Sequence, residues 1–162
     1  MRTTTTLALL PLLAMLALGC QPKRIPGISI ALKDTPDHRA IVDLVEQYRR
    51  AVESKDIDAL LALADERFYE DSGTPETEDD YNYQGLREHF EQHFEHLGEV
   101  QLNIILKDVE VSGDQADVDY RYVARYRMDL PSGEKWRVID EVNRLELVRQ
   151  GEGPDWKVKS GF

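Results

Sequence analysis

Cysteine is nearly absent from this sequence. Cys20 is the only one among 162 residues, so no disulfide can form within the chain. Basic residues are also few, since 20 lysines and arginines stand against 31 aspartates and glutamates, for a formal net charge of −11. This charge repels phosphate backbones, so we expect no nucleic-acid partner. The one extended apolar run, residues 7–18, is too short to cross a bilayer comfortably as a permanent helix.

That run instead predicts a targeting segment at the amino terminus. Arg2 supplies a positive start, and the small residues Ala17 and Gly19 precede Cys20. The pattern resembles the bacterial lipobox, which implies cleavage after Gly19 and acylation of Cys20, with palmitate among the expected chains. Several acyl chains give stable anchoring, so the lipid on Cys20 makes the membrane an expected partner. The alternative is an ordinary secretory peptide with a chance cysteine.

The residue after the cysteine bears on location. Gln21 is not an aspartate, and the lipobox resemblance then implies the bacterial outer membrane, with the domain facing the periplasm. Prolines and a glycine in the next segment predict a tether that lifts the domain from the membrane surface. The remaining length suits one ordinary domain. The expected division is a signal peptide at 1–19, the lipidated cysteine and tether at 20–36, and the domain at 37–162.

Helical spacing of apolar residues predicts three helices in the first half of the domain. Thr35 and Pro36 can begin the first, which runs to about residue 54, and Asp56 can cap a second over about residues 57–64. The third is expected at about residues 84–97. The acidic segment between the second and third does not match an EF-hand, so we expect a solvated loop that could act as a lid.

After Gly98 the apolar period changes from helical spacing to strict alternation. The alternation predicts four strands, at about residues 102–111, 116–128, 135–148 and 156–160. Short turns with glycine and proline join them, so the sheet should be antiparallel. Helices followed by such a sheet give an α+β fold.

Several short motifs together resemble a known superfamily. They occupy residues 48–52, 56–61, 83–88 and 156–162. Their order and spacing resemble the nuclear transport factor 2-like superfamily, to which SnoaL-like domains belong. The resemblance implies a cone in which three helices pack in the concavity of a strongly bent sheet of about four long strands, with a cavity at the open end. The superfamily includes ketosteroid isomerase-like and dehydratase-like enzymes, polyketide cyclases, ligand binders and dimerisation modules, so the fold alone does not select a function.

Aromatic residues on the second long strand are the expected cavity wall. Tyr120, Tyr122 and Tyr126 share one face of that strand and would hold a flat apolar molecule with rings that have polar tips. An ordinary core would use the same residues. The other residues expected to line the cavity are Tyr69, Tyr83, Phe90, Trp136 and Arg144.

His93 is the first of two candidate catalytic residues. It falls within the apolar face of the third helix, where it could act as a general base or be an ordinary core histidine with a hydrogen-bond partner. It follows His89 by four residues, a spacing that can hold a metal. The residues between them lack the glutamate of the zinc-protease motif, so we expect no metal and no other cofactor.

Asp140 is the second candidate. It shares a strand parity with Trp136 and Arg144, which would place it in the cavity if no bulge intervenes. Burial would raise the pKa of this carboxyl, as a base of the isomerase type requires, but Arg144 beside it would lower that pKa. A structural ion pair, or a bulge that turns both side chains to solvent, is therefore the favoured interpretation.

These residues lead to three hypotheses. The first is a membrane-anchored, non-catalytic module that binds a small apolar ligand or an envelope protein, as a homodimer. The second is an envelope isomerase or dehydratase of the ketosteroid isomerase-like type that uses His93 and Asp140. The third is a domain that only braces a complex through a mixed-charge strand face, which carries Asp117, Asp119, Arg121, Arg125 and Arg127.

Overall fold

The computed structural model of this chain describes Ile25 and residues 28–71 and 80–162. The predicted signal segment, Cys20 and most of the tether lie outside the described residues, as does most of the acidic loop. In the described ranges, no helix combines the length and the apolar character needed to cross a bilayer. The elements in chain order are α1 (Pro36–Ser54), α2 (Ile57–Leu63), β1 (Tyr69–Glu70), β2 (Tyr81–Asn82), α3 (Tyr83–Phe94), β3 (Leu97–Ser112), β4 (Gln115–Leu130), β5 (Gly133–Arg149) and β6 (Trp156–Ser160).

Side-chain caps begin the first two helices where the sequence predicts them. The hydroxyl of Thr35 accepts a hydrogen bond from the backbone N–H of His38 at 3.2 Å, and Pro36 occupies the first turn of α1. The carboxylate of Asp56 accepts one from the backbone N–H of Ala59 at 3.0 Å at the start of α2. Each cap satisfies an amide that has no partner within its helix.

Lys55 joins the end of α1 to the sheet. Its backbone is left-handed, with φ of 55°, which ends the helix. Its ammonium group donates to the carbonyl oxygens of Leu97 and Gly98 at 2.6 and 2.9 Å. The carboxyl end of α1 is therefore held against the beginning of β3.

The long strands form one antiparallel sheet in the order β3-β4-β5-β6, and β1 pairs with β2 separately. All four strands lie where alternation predicts them. The third helix is shorter than expected because Leu97, predicted as its last residue, pairs instead with Met128 at the far end of β4. This early start of β3 lengthens the wall that faces the helices.

The three helices pack against the face of the curved sheet that carries the even-numbered residues of β4. Val118 and its partner Leu145 are fully buried on that face, opposite Ile41, Leu60 and Leu86 of the helices. Burying a side chain of this size stabilises a fold by about 1.5–3 kcal/mol. The expected α+β fold, with three helices against a strongly bent four-stranded antiparallel sheet, is confirmed.

The last residue of the chain closes the inner end of the space between helices and sheet. The ring of Phe162 stacks on Tyr48 and on Phe68 with centroids 5.4 Å apart in each case. It meets Phe90 edge-on at 5.7 Å. These contacts join α1 and α3 to the end of the chain through aromatic rings.

Gly161 makes this placement possible because the backbone approaches β5 very closely there. Its φ is +95°, in the region that favours glycine, and its N–H donates to the carboxylate of Glu70 at 2.6 Å. A Cβ at this position would lie 1.9 Å from the carbonyl oxygen of Arg144. No side chain fits there without moving one of the two backbones.

We expect Gly161→Ala to lower the free energy of unfolding by about 2 kcal/mol or more, because it combines a backbone clash with an unfavourable φ. Urea unfolding monitored by circular dichroism measures the change. Gly153→Ala is the matched control, since a Cβ at Gly153 meets nothing within 4 Å. An unfolding free energy for Gly161→Ala equal to that of the control would show that the close approach to β5 is wrong.

Candidate functional site

A cavity of about 510 Å³ opens between α1, α3 and the inner face of β3, β4 and β5. Its walls are mainly aromatic and aliphatic side chains. Among the described residues, no aspartate, glutamate, lysine or arginine lines it, and its polar groups come from tyrosines, histidines, one asparagine and one glutamine. A second groove, about 490 Å³ and more open, lies between α1, α2 and the start of β6. The charged residues in its walls are Arg50, Asp56, Asp155 and Lys157.

The innermost polar groups of the cavity satisfy one another. The hydroxyls of Tyr48 and Tyr120 are hydrogen-bonded together. The amide of Asn143 donates to the hydroxyl of Tyr120 at 3.3 Å and to the carbonyl oxygen of Gly161 at 3.4 Å. Burial raises the pKa of both tyrosines, so they remain neutral hydroxyls at physiological pH.

Tyr122 lies further out on β4 and is paired with an acid. Its hydroxyl donates to the carboxylate of Glu141 at 3.0 Å. Burial, together with this carboxylate, raises the pKa of Tyr122 to about 12. Tyr122 and Glu141 are cross-strand partners, and partners in an antiparallel pair point to the same face of the sheet. Glu141 is exposed, and its carboxylate lies beside the cavity without forming its wall.

Three of the four histidines of the chain lie at the α3 side of this cavity: His89, His93 and His96. The ring of His89 stacks on Tyr81 at 4.0 Å, and the ring of His93 stacks over His89 at 6.1 Å with an interplanar angle of 12°. Burial, and then the nearby His93, lowers the pKa of His89. In the part of the chain that the structure describes, no three His, Cys, Asp or Glu side chains are grouped so as to hold a metal ion.

His93 is not a core histidine. Its side chain is exposed at the cavity, and none of the described residues hydrogen-bonds to its ring nitrogens. The buried face of α3 consists of Leu86 and Phe90, and the helix ends at Phe94 beside the open cavity. The alternative of an ordinary core histidine with a hydrogen-bond partner is wrong because His93 is exposed and has no such partner among the described residues.

The structure brings five of the ten predicted site residues together and leaves out the other five. Those that line the cavity are Phe90, His93, Tyr120, Tyr122 and Tyr126. Tyr69 lies elsewhere, on β1, where its ring is 52% exposed and its hydroxyl is hydrogen-bonded to Asp80. Tyr83 begins α3 and packs against the edge of the core.

The prediction that Asp140 faces the cavity is wrong. Asp140 pairs with Val123, which belongs to the outer row of β4, and its side chain is exposed. Its carboxylate accepts a hydrogen bond from the guanidinium of Arg121 at 2.6 Å, and this bond lowers the pKa of Asp140. An acid held ionised on the outer face cannot act as a base within the cavity.

Trp136 and Arg144 were predicted on the same parity and also lie on the outer face. Trp136 is 42% exposed beneath the guanidinium of Arg125, which lies 4.4 Å from the ring centroid. Arg144 pairs with Asp119 at 2.6 Å, and so the expected ion pair between Arg144 and Asp140 is not present. This outer face is the mixed-charge strand face of the third hypothesis. The expected homodimer and the expected envelope partner remain predictions.

The error arises because the residues of β5 alternate between the two faces of the sheet, and each of the two rows contains both apolar and polar residues. No bulge interrupts its pairing with β4, so the inner row continues without a break from Leu145 and Leu147 through Asn143 and Glu141 to Ile139. Counting back from the leucines, rather than forward from Trp136, would have identified Glu141 and Asn143 from the sequence. Sequence reasoning also missed Tyr48 and Phe162, whose roles depend on contacts between distant elements.

Comparison with known proteins identifies the family of this chain and solved structures with a similar fold. No curated protein sequence is significantly similar to this chain. A family model described as a SnoaL-like domain matches residues 33–160. Among solved structures, a candidate aromatic ring hydroxylase from Novosphingobium aromaticivorans is 25% identical with a TM-score of 0.62, and the match covers 77% of this chain and 85% of that one.

Two further solved structures show the fold alone. A ketosteroid isomerase-like protein from Erwinia carotovora atroseptica is 18% identical with a TM-score of 0.61, and the match covers 76% of this chain and 91% of that one. A candidate scytalone dehydratase from Novosphingobium aromaticivorans is 15% identical with a TM-score of 0.63, over 77% of this chain and 80% of that one.

We expect Glu141→Gln to lower the pKa of Tyr122 from about 12 toward the ordinary tyrosine value of about 10, with part of the rise retained because burial remains. A high-pH NMR titration of ring-labelled tyrosine measures it. Asp140→Asn, one residue away on the opposite face, is the matched control and should leave the Tyr122 titration unchanged. A Tyr122 titration that changes in Asp140→Asn and not in Glu141→Gln would show that the assignment of Glu141 to the inner face of β5 is wrong.

Proposed function

This chain belongs to the SnoaL-like domain family, and we propose that it binds a small, flat, apolar molecule in the cavity between α1, α3 and the sheet. The observation that carries this proposal is the cavity itself, which has aromatic and aliphatic walls and the size of a small-molecule site. The fold is shared by enzymes and binding modules alike, so the proposal depends on the side chains.

The hydrogen bonding inside the cavity supports an apolar occupant. Tyr48, Tyr120 and Asn143 are partnered with one another, and Tyr122 is partnered with Glu141. An apolar ring system can therefore enter without leaving these polar groups unpaired, a cost that otherwise opposes binding. The rings of the tyrosines supply flat surfaces for such a ligand.

The placement of the acids favours a binding module over an isomerase or dehydratase. The enzymatic hypothesis needs a base that reaches the ligand, and Asp140 lies across the sheet with Arg121. Glu141, the acid beside the cavity, already accepts the hydroxyl of Tyr122 and is exposed to solvent. We therefore propose a non-catalytic role, with His93 as a contact residue for the ligand.

We propose further that the domain is tethered in the bacterial envelope by a lipid on Cys20. The support is the sequence pattern of a positive residue, an apolar run and small residues before the only cysteine. The stretch of chain between Cys20 and the start of α1 would separate the cavity from the membrane surface. A ligand in the envelope would then reach a site held near the membrane.

Binding can be measured with N-phenyl-1-naphthylamine, a flat uncharged dye, added to the full chain in neutral phosphatidylcholine vesicles. Energy transfer from the two tryptophans of the chain reports dye bound to the protein. We expect Ala124→Phe, which fills the cavity, to weaken binding by at least about tenfold, or about 1.4 kcal/mol.

Val123→Phe is the matched control for that experiment because Val123 belongs to the outer row of β4. It adds the same ring to the opposite face of the same strand, so dye affinity should stay at the wild-type value. The proposal fails if the wild-type chain does not bind the dye, or if the two variants weaken binding equally.

Anchoring is tested by Cys20→Ser, which removes the acyl acceptor. In bacterial cells, we expect the wild-type chain to fractionate with the outer membrane and to carry the added mass of acyl chains. The variant should lose that mass. Gln21→Asp is the matched control, since by the lipobox resemblance it should remain acylated and move to the inner membrane. A wild-type chain without added mass would overturn the lipid anchor.

A further inference from the structure

Charge is distributed unevenly between this cavity and the rest of the chain. The chain contains 31 aspartates and glutamates, yet none from the described ranges lines the cavity. Three of its four histidines do line it, all from one side. The cavity is thus a site within an acidic protein where negative charge is absent from the walls and positive charge can appear on protonation.

The imidazoles on this side have ring nitrogens to offer a ligand. In the parts of the chain that the structure describes, no group hydrogen-bonds to the ring nitrogens of His89 or His93, whose contacts are with aromatic rings. His96 lies at the end of α3, with its Nε2 3.8 Å from the carboxylate of Glu95. Glu95 is exposed, so solvent screens that pair.

The facing elements add both signs of charge around the histidines. From β4 come the hydroxyls of Tyr122 and Tyr126, and from β5 comes Glu141, which accepts the hydrogen bond of the Tyr122 hydroxyl. Tyr48 faces the cavity from α1, and Tyr81 of β2 stacks on His89. Two basic residues also point to the inner side of β5: Lys135, the partner of Met128, and Arg137, the partner of Tyr126.

We propose that the ligand carries an acidic group, which sits at the cavity mouth between the three histidines and the basic residues Lys135 and Arg137 of β5, while its apolar body fills the cavity. This inference rests on the proposed function, because the cavity supplies the site for the apolar body. The ligand class is an aromatic or alicyclic acid whose anionic group is a carboxylate, a sulfonate or a similar oxyanion. Charge-assisted hydrogen bonds from imidazolium and guanidinium groups are the strong ones available to such a group.

The arrangement makes binding depend on pH with a definite sign. An ordinary histidine gains its proton as the pH falls through about 6.5. A bound anion favours the protonated form, so binding takes up protons and affinity rises as the pH falls through this range. Burial and the neighbouring His93 lower the pKa of His89, and an anion at the mouth would oppose that shift.

Two dyes that differ by one sulfonate separate this inference from the proposed function. N-phenyl-1-naphthylamine is uncharged, and 8-anilinonaphthalene-1-sulfonate is the same ring system with a sulfonate that stays ionised throughout. Both are measured by energy transfer from tryptophan, with the full chain in neutral phosphatidylcholine vesicles. We expect the ratio of sulfonate to uncharged-dye affinity to rise about tenfold from about pH 8 to about pH 5.5, the equivalent of one unit of pKa shift.

The double variant His93→Gln/His96→Gln should lose most of that rise. Both side chains are exposed, so the variant should fold, and its circular dichroism spectrum checks this. His89→Gln is a second variant with the same expected direction. His38→Gln is the matched control, because His38 lies at the start of α1, bonded to Thr35, and should leave the rise intact.

Each outcome is decisive. If the uncharged dye binds and the ratio does not change with pH, the acidic ligand group is wrong while the cavity proposal stands. The same conclusion follows if the ratio rises equally in the double variant and in His38→Gln. If neither dye binds at any pH, the proposed function fails and this inference fails with it.

Discussion

The register of β5 against β4 is the constraint on which the site depends. Antiparallel partners share a face, so the pairs Tyr120 with Asn143 and Tyr122 with Glu141 decide together what meets the cavity. A shift of one residue would exchange Asn143 and Glu141 for the outer row of β5, which carries Asp140 and Arg144. The ladder runs without a bulge along the full length of the two strands. A shift in register would therefore break many backbone hydrogen bonds.

The inner end of the cavity depends on a second, more local constraint. Gly161 approaches the backbone of β5 too closely for any side chain, and this approach turns Phe162 between α1 and α3. The same glycine carbonyl accepts from Asn143, which also bonds to Tyr120. Aromatic packing and hydrogen bonding are therefore coupled at the closed end. The walls there are apolar, and the polar groups between them are hydrogen-bonded to one another.

The open end has the opposite character. There α3 stops, and His93 and His96 are exposed to solvent beside the aromatic wall. The two ends of the cavity therefore differ. The closed end needs no hydrogen bond from a ligand, whereas the imidazole nitrogens at the mouth receive no hydrogen bond from the described residues. In a chain of net charge −11, such a mouth is chemically distinct from the surrounding surface.

The order and spacing of short motifs carried the resemblance to the superfamily. The sequence by itself also determined the caps at Thr35 and Asp56 and the order of the three helices and four long strands, because these depend on local hydrogen bonds and on periodicity within each element. It determined the aromatic wall of β4 for the same reason. Alternation on β5 did not decide between Asp140 and Glu141, since it defines two faces of a strand without saying which one is buried. Counting back from Leu145 and Leu147 identifies Glu141 only if no bulge interrupts the pairing with β4. Only the tertiary structure decided that, through the pairing of β5 with β4, and only it showed that His93, in the last turn of α3, is exposed at the cavity.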